Sequence, residues 1–213
     1  MARPGVLLAA AALVASPVAL HCLTVVDAAR PFAVALSWGG AALVAIGLAR
    51  AAGVAVAESA VVAVLLGLAL YLGAGTRYAV FLPSLAVNLL LAWFFGRTLL
   101  PGRVPVVTAF ARVVHESATL EPERERYTRQ ATWAWFCFFV AMTAISAALA
   151  AFAPLAAWSL FANVLAAPLV AAMFAAEYAC RRRRLAGHEH VPPLVVLRRL
   201  LAAGFAVARP SAK

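Results

Sequence analysis

The sequence predicts an all-α, polytopic integral membrane protein with six transmembrane helices, both termini in the cytoplasm and short amphipathic helices on that face. Three observations predict it. First, the chain of 213 residues is 66% hydrophobic and 12% charged, with a mean hydropathy of +0.95. A soluble domain of this length is about half apolar and a quarter charged, so the chain has too little polar surface to coat a core, and lipid is its natural solvent. Second, the apolar residues fall into six runs, at about residues 5–26, 31–49, 55–73, 78–96, 131–152 and 157–180. Each is long enough as a helix to cross a hydrocarbon layer of about 30 Å, and open strands would leave backbone groups unpaired there. Third, the basic residues sit at alternate connections. With this threading, sixteen lie on one side, and only Arg30 and Arg77 on the other. Such a bias places the basic side in the cytoplasm.

Each element has its own justification. The first run follows Arg3 and contains Pro17. Met1 to Ala15 has the look of a signal peptide, but the bulky His21 before Cys22 argues against lipoprotein processing, and the run is expected to be a retained helix. Arg30-Pro31 opens the second run; Ala52-Gly53 and Gly73-Ala74-Gly75 bracket the third. Pro83 falls in the fourth and Pro168 in the sixth, where a proline kinks a helix or frees a carbonyl. Between runs four and five, Pro105 suits the first turn of a helix. Val106, Val107, Phe110, Val113 and Val114 then share one helical face, with Thr108, Arg112 and His115 on the other, as in a helix lying on a membrane surface. Pro154 separates runs five and six. Residues 1–185 thus make the transmembrane domain. Residues 186–213 make a basic cytoplasmic tail, whose Leu194, Leu197, Leu201 and Phe205 form a second amphipathic stripe.

Candidate site residues are the polar groups that such a chain tolerates at a cost. Asn88 and Asn163 lie within runs four and six; they serve either as interhelical hydrogen-bonding groups or as binding groups. Glu177 stands one turn before Arg181, within reach of an ion pair, and could also reach Arg97 or Arg129. His115 and Glu116, at the end of the amphipathic helix, are the other acid/base candidates, with Glu177, for a catalytic role; no catalytic residue is assigned. Arg97, Arg103, Arg112, Arg129 and Arg181 to Arg184 are expected to form a basic platform that binds a phosphate-bearing or acidic partner, because the guanidinium fork grips phosphate at two points. No metal or other cofactor is expected: His188-Glu189-His190 offers two histidines without further ligands. Cys22, Cys137 and Cys180 are widely spaced in apolar surroundings and make no disulfide framework.

Absent patterns exclude several classes. There is no GxxxxGK[ST] loop, no HExxH and no GxSxG. Neither His21 nor His115 is followed by an aspartate at the spacing of membrane glycerolipid acyltransferases, and there is no DDxxD. Nothing in the basic segments has the aromatic interleaving of a nucleic-acid-binding domain.

Several stretches carry a resemblance: Trp93-Phe94-Phe95-Gly96-Arg97-Thr98-Leu99 with Pro101, Tyr127-Thr128-Arg129 through Trp133-Ala134-Trp135, Trp158-Ser159-Leu160-Phe161-Ala162-Asn163, and Glu177-Tyr178. Across roughly residues 70–185 the chain resembles small bacterial inner-membrane proteins of aryl-polyene and xanthomonadin-type pigment gene clusters. The scarcity of lysine and isoleucine beside abundant alanine and arginine also fits a GC-rich bacterial genome. The resemblance implies a multi-pass protein of the bacterial inner membrane and no particular mechanism. Some members are labelled ketosynthases, but that chemistry needs a nucleophilic cysteine, two histidines and a soluble fold of about twice this length, and the cysteines here lie in or at the end of apolar runs. Two readings follow. One is a non-enzymatic component of pigment-lipid synthesis that docks an acyl carrier protein or other pathway enzymes, or moves the lipid product. The other is a membrane enzyme acting on an acyl chain or lipid headgroup at a cytoplasmic Arg/Glu site. Membrane lipids are partners in both.

Overall fold

The structure, a computed structural model, describes residues 4–51, 77–117 and 119–185, with side chains described for 15–49, 79–117 and 119–185. The expected third span and the tail, with its amphipathic stripe and His188-Glu189-His190, lie outside the described residues.

Among the described residues the fold is entirely helical. Helix α1 runs Pro4–Val25 and α2 Arg30–Ala51, joined by a 3-10 turn at Asp27–Ala29. After a second such turn at Arg77–Val80, α3 spans Leu82–Arg97. Helix α4 is Val106–Val114 and α5 is Pro122–Phe152. Helix α6 spans Leu155–Arg184, with a π-helical turn at Leu160–Leu165. Among the described residues, three helices are long and apolar enough to cross a membrane: Asp27–Ala49, Pro122–Phe152 and Leu155–Arg184. Apolar helical stretches Ala15–Val25 and Leu82–Arg97 are shorter.

Two boundaries differ from expectation for physical reasons, and one helix is perturbed at its proline as expected. The fourth run begins as a 3-10 turn, so Pro83 falls in the first turn of α3, where a missing N–H costs nothing. Helix α5 starts nine residues before its apolar run. Pro122 opens it, and Glu123 and Glu125 in its first turn suit the positive end of the helix dipole. At 31 residues it is about 46 Å long, so its charged first turns extend past an apolar layer. In α6, Pro168 cannot donate to the carbonyl of Val164 and its ring crowds that turn; the widened turn at Leu160–Leu165 sits just before it.

Helices α2 and α3 run parallel, whereas α1 with α6 and α3 with α5 run antiparallel, and the ends are sorted accordingly. Leu48, near the end of α2, packs with Phe94 and Val106, so this end gathers the C-termini of α2 and α3 with α4. The start of α2 is at the opposite end, where Trp38 donates from Nε1 to the Ala79 carbonyl at 3.2 Å. The last turns of α1 meet the first turns of α6 through His21 and Ser159. Helix α3 lies along α5 and makes the most extensive contact of the fold. Its Ala92 is buried with Trp135 and Phe139. Phe95 stacks on Trp135 with ring centroids 5.9 Å apart, and Trp135 meets Phe174 of α6 at 4.5 Å. Gly96 permits this closeness: a Cβ there would lie 2.8 Å from Cε2 of Phe136.

Candidate functional site

The basic end is assembled from the α3–α4 connection, the first turns of α5 and the last turn of α6. Its backbone is fixed locally. Leu100-Pro101-Gly102-Arg103 forms a tight turn, with Arg103 N–H donating to the Leu100 carbonyl at 3.2 Å. Gly102 has φ +77°, which suits glycine at the third position of a type II turn after proline. Thr98 links the helices on either side. Its hydroxyl donates to the Phe95 carbonyl at 2.7 Å and accepts from Val106 N–H at 3.1 Å.

Helix α4 does not present the faces expected of a helix merely resting on a membrane. Val106 and Val114 are buried as expected, but Thr108 is fully buried too. Its hydroxyl pairs with that of Thr128 at 2.7 Å, and Val107 N–H donates to Thr132 Oγ1 at 3.3 Å. The polar groups assigned to the outer face thus tie α4 to α5. Sequence periodicity could not show this, because a threonine buried against a threonine reads as polar.

The arginines divide into two sets. Some hold the fold together. Arg97 lies 4.7 Å over the Trp93 ring. Arg112 pairs with Glu125 at 3.0 Å, Arg129 donates to the Leu99 carbonyl at 3.1 Å, and Arg124 bonds His115. Arg184 donates to Gln130 at 2.7 Å, joining α6 to α5. The others are exposed: Arg103, Arg126, Arg182 and Arg183 make no side-chain hydrogen bond or ion pair with the described residues. Arg126 was not among the sequence candidates; its place in the first turns of α5 brings it to this end.

Glu177 pairs with Arg181 at 3.8 Å and is largely covered, with 13% of its side chain exposed. Its other partner is Tyr127, whose hydroxyl donates to Glu177 Oε1 at 3.1 Å and to the Glu177 carbonyl at 2.9 Å. Neither Arg97 nor Arg129 pairs with it among the described contacts. Tyr127 was missed as a site residue; the only signal in the sequence was a tyrosine at the charged end of a long helix. Glu116 is exposed and closes α4 in a left-handed conformation, φ 50°. Among the described residues, no group of three or more His, Cys, Asp and Glu side chains is arranged to hold a metal.

The two asparagines behave differently. Asn88 donates to the Ser84 carbonyl of its own helix at 2.9 Å. Asn163 reaches across to α1, donating to Thr24 Oγ1 at 3.4 Å, and also to Ser159 Oγ at 2.9 Å. Comparison with family models, curated proteins and solved structures returned no match.

Proposed function

We propose that the chain is a non-enzymatic, multi-pass component of the bacterial inner membrane that docks an acidic, phosphate-bearing partner at its arginine-rich end. In this reading it crosses the membrane six times and keeps both termini in the cytoplasm. The partner is an acyl carrier protein, or another enzyme, of the pigment-lipid synthesis implied by the resemblance. The observation that carries the reading is the set of exposed arginines without an ion pair among the described residues: Arg103, Arg126, Arg182 and Arg183. They are contributed by three separate segments that the fold brings to one end. Such arginines suit phosphate and carboxylate, which the guanidinium fork can grip at two points. The alternating bias of basic residues supports the orientation.

The enzymatic reading has one observation in its favour, the covered carboxylate of Glu177 beside the Tyr127 hydroxyl. Those groups are engaged in joining α6 to α5, which favours a structural role. Glu177→Gln separates the readings, since glutamine still accepts from Tyr127 but carries no charge. A docking component with this substitution supports normal product levels. An enzyme that uses the carboxylate loses product while folding and partner binding persist. Lipid analysis of a clean deletion completes the test. Accumulation of carrier-bound precursor supports docking. Finished lipid retained in the inner membrane would instead indicate transport.

A further inference from the structure

The end of the bundle opposite the arginines holds a second polar constellation, which the docking reading does not use. His21 and Thr24 in the last turns of α1 face Ser159 and Asn163 in the first turns of α6. Ser159 and Thr24 are buried, while His21 and Asn163 are half-buried. We propose that His21, Ser159 and Asn163 form a binding site for the uncharged, hydroxyl-bearing head group of a membrane amphiphile.

Hydrogen-bond accounting carries the proposal. The Asn163 amide nitrogen has two protons, and they go to Ser159 Oγ at 2.9 Å and Thr24 Oγ1 at 3.4 Å. Thr24 donates its own proton to the Leu20 carbonyl at 2.7 Å. Ser159 Oγ accepts from Asn163 and lies 2.9 Å from His21 Nδ1; in the proposed site Ser159 donates to Nδ1, which puts the ring N–H on Nε2. Two valences stay open: the His21 Nε2–H donor and the Asn163 Oδ1 acceptor. Neither has a partner among the described residues. Neither is sealed inside, because the buried side-chain atom lacking a partner there is Arg112 Nε.

An open donor and an open acceptor between apolar helices are costly, since lipid chains offer no hydrogen bonds. Both open groups belong to side chains bonded to the same serine oxygen. A hydroxyl suits either group, since it can accept from Nε2–H and donate to Oδ1. An anionic head group fits poorly. Of the cations at this end, Arg30 has a described side chain, and it is engaged with Asp27 and the Thr24 carbonyl. The widened turn at Leu160–Leu165 lies between Ser159 and Pro168, and such turns recur at ligand sites in helical proteins.

The test uses the full chain in lipid nanodiscs and a diacylglycerol with a photoactivatable group in one acyl chain. Labelling should map to peptides containing His21 or Ser159. Unlabelled diacylglycerol should compete. Its methyl ether, which lacks the donor, and phosphatidic acid, which is charged, should each compete about tenfold more weakly. His21→Phe and Asn163→Leu should each reduce saturable labelling about tenfold in protein with a wild-type helical spectrum. Should a variant fail to fold, the wild-type comparison decides by itself. Equal competition by the alcohol and its methyl ether, or labelling that does not saturate, would overturn the site and leave a network that only joins α1 to α6.

Discussion

The hydroxyls of Thr108 and Thr128 meet at 2.7 Å, and both side chains are buried. This pair shows what α4 is. It is a wedge pinned to α5 by side-chain and backbone hydrogen bonds, and through Thr98 it is continuous with α3. The exposed Arg103 therefore projects from a turn held at both ends.

Replacing either threonine of that pair by valine leaves the other hydroxyl buried with a bond missing. Each single substitution should cost about 1–2 kcal/mol. The double variant should lose less than the sum, because no Thr108 hydroxyl then remains to be satisfied. Thermal melting of the purified protein through the full cycle measures this coupling. Additive losses would show that the pair contributes nothing beyond its two separate sites.

Gly96→Ala should destabilise the α3–α5 contact. The new methyl would meet the Phe136 ring at 2.8 Å, and that ring is itself packed edge-on against Trp133 at 5.5 Å. Overpacking of this kind costs about 1–3 kcal/mol. Melting temperature in detergent reads the effect, and an unchanged value would mean that the ring moves aside freely.

Asn163→Leu and Asn88→Leu should differ. The first removes bonds to Thr24 and Ser159 and should destabilise by about 1–2 kcal/mol. The second removes a bond within its own helix and should change stability by about 0.5 kcal/mol or less. Equal losses would contradict the assignment of Asn163 as a residue that helps join α1 to α6.

Reporter fusions test the orientation. Fusions after Lys213 and near Leu120 should read cytoplasmic, and fusions near Gly75 and Pro154 periplasmic. A periplasmic reading near Leu120 would overturn the positive-inside argument.

Much of the fold was legible in the sequence. Runs of about twenty apolar residues specify helices strongly, because lipid permits little else, and α1, α2 and α6 fall within a few residues of their runs. Helix ends were harder. The extension of α5 to Pro122 depends on charged residues that look like a loop by hydropathy, yet propagate a helix already nucleated in the apolar span. The residues that carried the family resemblance are largely packing: Phe95, Gly96 and Trp135 build the contact among α3, α5 and α6. The site was only partly legible. The expected Glu177–Arg181 pair follows from helical spacing, whereas Tyr127 with Glu177, and His21 with Ser159, join residues 50 and 138 positions apart. No local pattern encodes such distances.

In the proposed function the exposed arginines dock an acidic partner. The most direct test is the affinity of acyl carrier protein for the nanodisc-embedded chain as salt rises from about 50 to about 500 mM, where screening shortens to a few ångströms. Wild-type binding should weaken steeply over that range. The variant Arg103→Gln/Arg182→Gln/Arg183→Gln should bind about tenfold more weakly at low salt, because these side chains are exposed and engaged with none of the described residues. Salt-independent binding, or unchanged binding by the triple variant, would contradict the claim and leave these arginines as topological signals alone.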